Sequence, residues 1–113
     1  MRKRYRLKSS AEFQRVRRGG RAWSHPLLVL YALPSGLDLS RFGFSVSKRV
    51  GNAVVRNRVK RRLREVARRW YPALPAGWDF VVIARAPVAT ATLGQIDEAL
   101  SQVIRRAGLA DHA

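Results

Sequence analysis

Between Asn52 and Pro72 the chain carries a segment that can bury only one narrow stripe of itself. Placed at about 100° per residue, Val55, Val59, Leu63, Val66 and Trp70 fall within about 40° of one direction. Asn57, Arg61, Arg64 and Arg68 fall within about 40° of the opposite direction, and Arg58 and Lys60 lie on the flanks. Gly51-Asn52 supplies a turn and an N-cap, and Pro72 and Pro75 stop the run. These features predict a helix over 52–70. Its apolar stripe needs a core to lie on, and its polar face cannot enter one. The rest of the chain must therefore supply an apolar platform on one side of this helix only.

The remaining segments supply that platform. Ser9-Ser10-Ala11-Glu12 reads as an S-x-x-E capping box that opens a short helix, closed by Gly19-Gly20. In it Phe13 and Val16 share a face, with Arg17 one turn beyond Phe13. A short extended piece is expected at 21–24, then an apolar strand at 27–33 and turn chemistry at Pro34-Ser35-Gly36. Residues 41–47 alternate, with Phe42, Phe44 and Val46 on one face and Gly43, Ser45 and Ser47 on the other. That pattern predicts one buried face and one small, polar face. Residues 78–84 are apolar on both faces around Val81-Val82-Ile83, as in a central strand. Thr92-x-x-Gln95 is a second capping box, opening a helix with Leu93, Ile96, Leu100, Val103, Ile104 and Ala107 at helical spacing. The predicted order is α-β-β-β-α-β-α, with two amphipathic helices over a small sheet: a two-layer α/β (α+β) sandwich. No linker, repeat or low-complexity tract divides residues 1–113, so one domain is expected.

Charge narrows the function. The 113 residues hold 23 Lys+Arg and 7 Asp+Glu, a formal net charge of +16. The imbalance is confined to residues 1–70, where 20 Lys/Arg face only Glu12, Asp38 and Glu65. Residues 71–113 are close to neutral. Metabolic enzymes rarely carry such self-repulsion, and a polyanionic partner relieves it. A solvated charged face would mix signs along the helix. Here residues 41–70 hold eleven Lys/Arg against Glu65 alone. A phosphate-backbone surface is the better reading: arginine forks grip phosphate oxygens in pairs, and Asn57 suits sugar, a base edge or a hydrated metal ion. Positions 57 to 68 span about 16 Å of helix, enough for several phosphates.

A catalytic toolkit is missing. Cys is absent, which excludes disulfides, thiolate nucleophiles and thiolate metal sites. The two histidines, His25 and His112, read as a loop residue and a chain-end residue, not as an acid–base pair. Asp97-Glu98 are the only adjacent carboxylates, and helix-dipole stabilisation accounts for them. No phosphate-binding G-x-x-x-x-G-K-[ST] loop occurs. No apolar run is long enough to span a bilayer, and the basic start 1–4 is not followed by a signal-peptide core. An intracellular protein that meets no membrane is expected.

The block from Phe44 to Glu65, FSVSKRVGNAVVRNRVKRRLRE, resembles the bacterial ribonuclease P protein component. Arg56-Asn57-Arg58 matches that family's RNR motif, followed by Lys60, Arg61 and Arg64 at the family spacing. Arg6-Leu7-Lys8 with Glu12-Phe13, then Val29-Leu30-Tyr31, then the segment Asp79 to Arg85 are similar to the family's first helix, inner strand and last strand, in that order. The resemblance implies a small mixed sheet with a left-handed β-α-β crossover around the basic helix, against the usual right-handed rule. It implies a ribonucleoprotein endoribonuclease that removes the 5′ leader of precursor tRNA by Mg²⁺-dependent hydrolysis in the cytoplasm. A catalytic RNA carries the chemistry and holds most of the metal, and protein ligands to metal stay unassigned. Two partners are implied, the catalytic RNA and precursor tRNA, with no obligate protein partner. The implied set for the catalytic RNA is Arg56, Asn57, Arg58, Lys60, Arg61, Arg64 and Arg68. The implied leader cleft is Phe13 and Tyr31, with Lys48 and Arg49 at its edge. Arg17 stands where the family usually has a second aromatic, and arginine can stack on a base or hold a phosphate. Read without the resemblance, Phe13 and Tyr31 are better taken as residues of an ordinary core. The alternative functions are a ribosomal or other structural RNA-binding protein, and a DNA-binding regulator. The second lacks helix-turn-helix spacing and a dimerisation heptad.

Overall fold

A computed structural model describes residues 2–110, so His112 lies outside the described residues. The elements follow the expected order: α1 (Ser10–Gly19), β1 (Arg21–Ser24), β2 (Leu28–Pro34), β3 (Arg41–Ser45), α2 (Ala53–Trp70), β4 (Trp78–Ala84) and α3 (Leu93–Arg106). Three short 3₁₀ turns lie at Lys3–Tyr5, Tyr71–Ala73 and Ala86–Thr90. Both capping boxes form, Ser9 with Glu12 and Thr92 with Gln95, and the Asn52 side chain accepts from the Val55 N–H to start α2.

The four strands lie in the order β1-β2-β4-β3. Antiparallel pairing joins β1 to β2 and β2 to β4, and β3 runs parallel to β4 with α2 as the crossover between them. This makes β4 central, which explains why it is apolar on both faces. One face of the sheet presents Leu28, Leu30, Ala32, Phe42, Phe44, Phe80, Val82 and Ala84 to α2 and α3. Val59, Leu63, Val66 and Ala67 of α2 and Ile96, Ala99, Leu100, Val103 and Ile104 of α3 close that core. Burial of each large side chain there contributes about 1.5–3 kcal/mol.

Besides these two layers, α1 lies on the opposite face, where Val16 packs with Leu7 and Val81 and against Phe13, Tyr31, Leu33 and Ile83. The Leu7 N–H donates to the Phe42 carbonyl at 2.8 Å, which ties the N-terminal segment beside β3.

Two local expectations need correction, and a third holds for a steric reason. The strand expected over 41–47 ends at Ser45, because Ser47 to Val50 turn into the start of α2. Its small face is not open at Gly43. The Phe13 ring lies so close that a Cβ at Gly43 would sit 2.5 Å from Phe13 Cζ. The glycine pair does end α1, but Gly20 has φ −87° and no left-handed turn. Glycine is required there because a Cβ would meet the Val16 and Ala32 carbonyl oxygens at 2.5 and 2.7 Å.

Candidate nucleic-acid interface

The polar side of α2 follows from the burial of its apolar stripe. Asn57, Arg61 and Arg68 are exposed, and Arg56, Arg58, Lys60 and Arg64 are half-buried. Their environments differ in ways that periodicity does not reveal. Arg58 Nη2 donates to the Ala89 carbonyl at 3.1 Å, and Arg62 Nη1 donates to the Ala91 carbonyl at 2.8 Å. These two arginines fasten α2 to the turn before α3. Arg68 Nη2 lies 2.7 Å from Glu65, and Arg69 also approaches it at 3.6 Å. The Arg68 hydrogen bond, ahead of the charges of both arginines, holds the Glu65 carboxyl below its ordinary value. Arg61 carries no such internal partner among the described contacts. Arg64 Nε is buried without a hydrogen-bond partner in the chain.

Arg64 and Lys60 also face a groove of about 470 Å³ between α2, β3 and the N-terminal segment. Lys3, Arg6 and Lys8 line the opposite wall, and Leu7, Phe13, Phe42, Gly43 and Phe44 supply the apolar lining. Five cations and no carboxylate line it, a field that suits a phosphodiester chain. The sequence reading did not assign Lys3, Arg6 or Lys8 to the interface. The sequence signals for them are the clustering of basic residues at the start of the chain and the likeness of Arg6-Leu7-Lys8 to the family's first helix.

A second cleft, of about 310 Å³, continues from this groove, and the two share Lys8 and Phe13. Ser9, Ser10, Gln14, Arg17, Ser45 and Ile83 complete its lining. The Arg17 guanidinium lies 5.7 Å from the centroid of the half-buried Tyr31 ring on the neighbouring strand. The structure therefore brings Phe13, Arg17 and Tyr31 to one sheet face. Phe13 and Tyr31 both pack against the small core under α1 while staying half-exposed; Phe13 also lines the cleft, whereas Tyr31 lies beside it under Arg17 and does not line it. Lys48 and Arg49 are exposed in the turn between β3 and α2 and do not line this cleft.

An ionic cluster sets the position of α1 over the cleft. Asp79 of β4 is fully buried. Arg41 of β3 meets it as a fork, Nε to Oδ1 at 2.9 Å and Nη2 to Oδ2 at 2.8 Å, and Arg15 of α1 reaches the same Oδ2. Arg41 Nη1 then bonds Glu12 of α1 at 3.0 Å. Asp79 chiefly, through its hydrogen bond and then its charge, raises the Arg41 pKa.

Glu12 is pulled below its ordinary value of 4.5, first by the Lys8 N–H, then by the Ser9 N–H and the Arg41 charge, against some desolvation. A carboxylate with a lowered folded pKa stabilises above its unfolded pKa, and that contribution is lost as pH falls through the folded value. The urea midpoint of the parent should exceed that of Glu12→Gln near neutral pH. The gap should close as pH drops below the ordinary carboxylate value. A gap that stays constant into acid would show that Glu12 contributes nothing through its charge.

The histidine and adjacent carboxylates set aside above as non-catalytic have structural partners. The Leu27 N–H donates to His25 Nδ1 at 3.0 Å within its loop, and Asp97 accepts from the Trp70 indole N–H at 2.8 Å. Glu98 accepts from Gln102 at 3.1 Å. Among the described residues, no three His, Asp or Glu side chains converge in a way that could hold a metal ion.

Known proteins share this fold. The family described as Ribonuclease P matches residues 1–108. The ribonuclease P protein component of Roseiflexus castenholzii is 45% identical, over 100% of this chain and 93% of the relative. That of Herpetosiphon aurantiacus is 46% identical, over 96% of this chain and 89% of the relative. The Staphylococcus aureus RNase P protein structure superposes with a TM-score of 0.86 at 37% identity, over 94% of this chain and 97% of that one. The Thermotoga maritima RNase P protein gives 0.81 at 30% identity, over 89% and 96%. With the fold, the RNR block and matches over nearly the whole length all in agreement, the chain belongs to the ribonuclease P protein family.

Proposed function

We propose that this ribonuclease P protein subunit holds two RNAs at once, on contiguous surfaces, while a catalytic RNA performs the cleavage. The α2 face with Arg56, Asn57, Arg58, Lys60, Arg61, Arg64 and Arg68 binds the catalytic RNA through phosphates. The cleft with Phe13, Arg17 and Tyr31 receives the unpaired 5′ leader of precursor tRNA, and Lys48 and Arg49 draw in the strand as it leaves. The observation that carries this reading is the junction at Lys8 and Phe13, where the cationic groove beside α2 meets the aromatic cleft. Stacking suits leaders of differing sequence, because every base has a π-face. Mg²⁺ supplies the hydrolytic chemistry of the holoenzyme. In this reading the catalytic RNA holds most of the metal. The site of action is the cytoplasm, where precursor tRNA is made.

The direct test is cleavage of precursor tRNA at physiological Mg²⁺ with the chain, a ribonuclease P RNA, or both. Cleavage to a 5′-phosphorylated tRNA is expected only with both. His25→Ala should leave single-turnover cleavage nearly intact, and so should Asp97→Asn with Glu98→Gln. A loss of several orders of magnitude in the chemical step, with RNA binding preserved, would overturn the assignment of catalysis to RNA.

The leader cleft has its own test. Tyr31→Ala, or Phe13→Leu, which keeps an apolar cover on Gly43, should weaken precursor tRNA binding to the holoenzyme about 5- to 150-fold, the equivalent of about 1–3 kcal/mol of stacking. Mature tRNA lacks the leader and should bind unchanged. Equal losses for both ligands, together with a lower melting temperature, would mean that the rings serve packing alone.

A further inference from the structure

The α1 face of the sheet has a notch at Gly43. On that face one row runs Gly43, Val81 and Tyr31, paired across β3, β4 and β2. Val81 packs with Val16, and Tyr31 carries Arg17. At Gly43 the row has no side chain of its own, and the Phe13 ring fills the space. A Cβ there would stand 2.5 Å from Phe13 Cζ and 2.9 Å from both Cε atoms. Those three distances lay the tip of the ring face-down on the glycine, not edge-on. Backbone geometry does not ask for glycine here, because Gly43 sits in a regular strand and has no positive φ. Glycine weakens a strand interior, and a β-branched residue would serve both pairing and burial better. Val81 and Ile83 do so on the same face of β4. What glycine supplies at 43 is room for the ring.

A ring that served packing alone would be buried, as Val16 is. Phe13 is half-exposed and lines both the groove and the cleft, so the side left open is the one turned away from Gly43. The helix that carries it cannot rise freely, because Glu12 and Arg15 tie α1 to Arg41 and Asp79. A Cβ at 43 would therefore be absorbed by the ring. Ordinary carbon contacts lie at about 3.5–4.0 Å, so the ring would have to lift or swing by about 1 Å or more into the groove or the cleft.

We propose that Gly43 is a positioning residue for leader recognition: by carrying no side chain it lets Phe13 lie on β3 with its outer face presented to an unpaired leader base. This inference rests on the cleft being the leader site.

The test uses the full chain assembled with a ribonuclease P RNA. With Gly43→Ala the holoenzyme should bind precursor tRNA about 5- to 150-fold more weakly, the stacking of one base. Binding of mature tRNA, binding of the catalytic RNA and the melting temperature should stay close to the parent. In the Phe13→Leu background Gly43→Ala should cause no further loss, because leucine leaves room for the Cβ and the ring it would displace is gone. In the free parent chain the Gly43 α-protons should show nuclear Overhauser contacts to the Phe13 ring, a readout that needs no variant to fold. Parent-like precursor binding by Gly43→Ala, or a further loss in the Phe13→Leu background, would overturn the proposal. So would a melting temperature far below the parent, an equal loss for mature tRNA, or the absence of those contacts in the parent. A Phe13→Leu holoenzyme that binds precursor tRNA like the parent would instead overturn the leader reading on which it rests.

Discussion

Raising monovalent salt from 50 to 200 mM should weaken binding of the chain to ribonuclease P RNA by about 300- to 2000-fold, taking about six phosphate contacts and about −0.7 to −0.9 in log–log slope per contact. Six is the number of Lys/Arg in the proposed α2 set, the seventh member being Asn57. The structure sharpens which substitutions change that slope. Arg61 is exposed and has no internal partner among the described contacts, so Arg61→Ala should flatten the slope by about one unit. Arg64, with its buried unpaired Nε, should behave likewise. Arg68 already sits on Glu65, so part of its charge is matched before RNA arrives, and Arg68→Ala should flatten the slope by less. Titrations at four or five salt concentrations would decide this. A slope unchanged after Arg61→Ala and Arg64→Ala together would move the RNA surface away from α2.

Replacing Asp79 by Ala should cost about 3–5 kcal/mol, because it leaves the Arg41 guanidinium partly buried without its main partner. For a chain of this size that lowers the melting temperature by more than about 10 °C. The Asp79 side chain is 0% exposed and that of Arg41 is 21% exposed, whereas Arg15 is 45% exposed and can turn to water. The loss should therefore centre on Arg41. Asp79→Leu combined with Arg41→Met should recover most of it, since a buried ion pair replaced by apolar groups of similar size is often neutral. A melting temperature within two or three degrees of the parent for Asp79→Ala, on the order of 0.5 kcal/mol, would show that the cluster is dispensable. The functional consequence follows from geometry. Arg41 ties β4 to Glu12 of α1, so loosening it frees the helix that carries Phe13 and Arg17. Precursor tRNA binding should then fall in Asp79→Ala even where the protein remains folded.

Local order was legible in the sequence because local rules decide it. The Ser9–Glu12 and Thr92–Gln95 boxes, the Asn52 cap and the Pro72 stop act within a few residues of chain, and all lie where periodicity and capping place them. The buried stripe of α2 was readable for the same reason: a period of 3.6 leaves only one side for Val59, Leu63 and Val66. The basic face followed by exclusion, and so did a partner rich in phosphate. Tertiary structure decided what faces what. It alone set β4 between β2 and β3, placed α1 on the opposite face of the sheet, and laid Phe13 on Gly43. It brought Lys3, Arg6 and Lys8 across from Lys60 and Arg64, more than fifty residues along the chain. It turned Arg58 and Arg62 toward backbone carbonyls and made a buried charge cluster of Asp79, Arg41 and Arg15. Nothing in a run of sequence marks these pairings. They arise when elements whose apolar faces are locally fixed search for mutual burial, and each polar group carried inside by that burial must find a hydrogen-bond partner wherever the packing has put one.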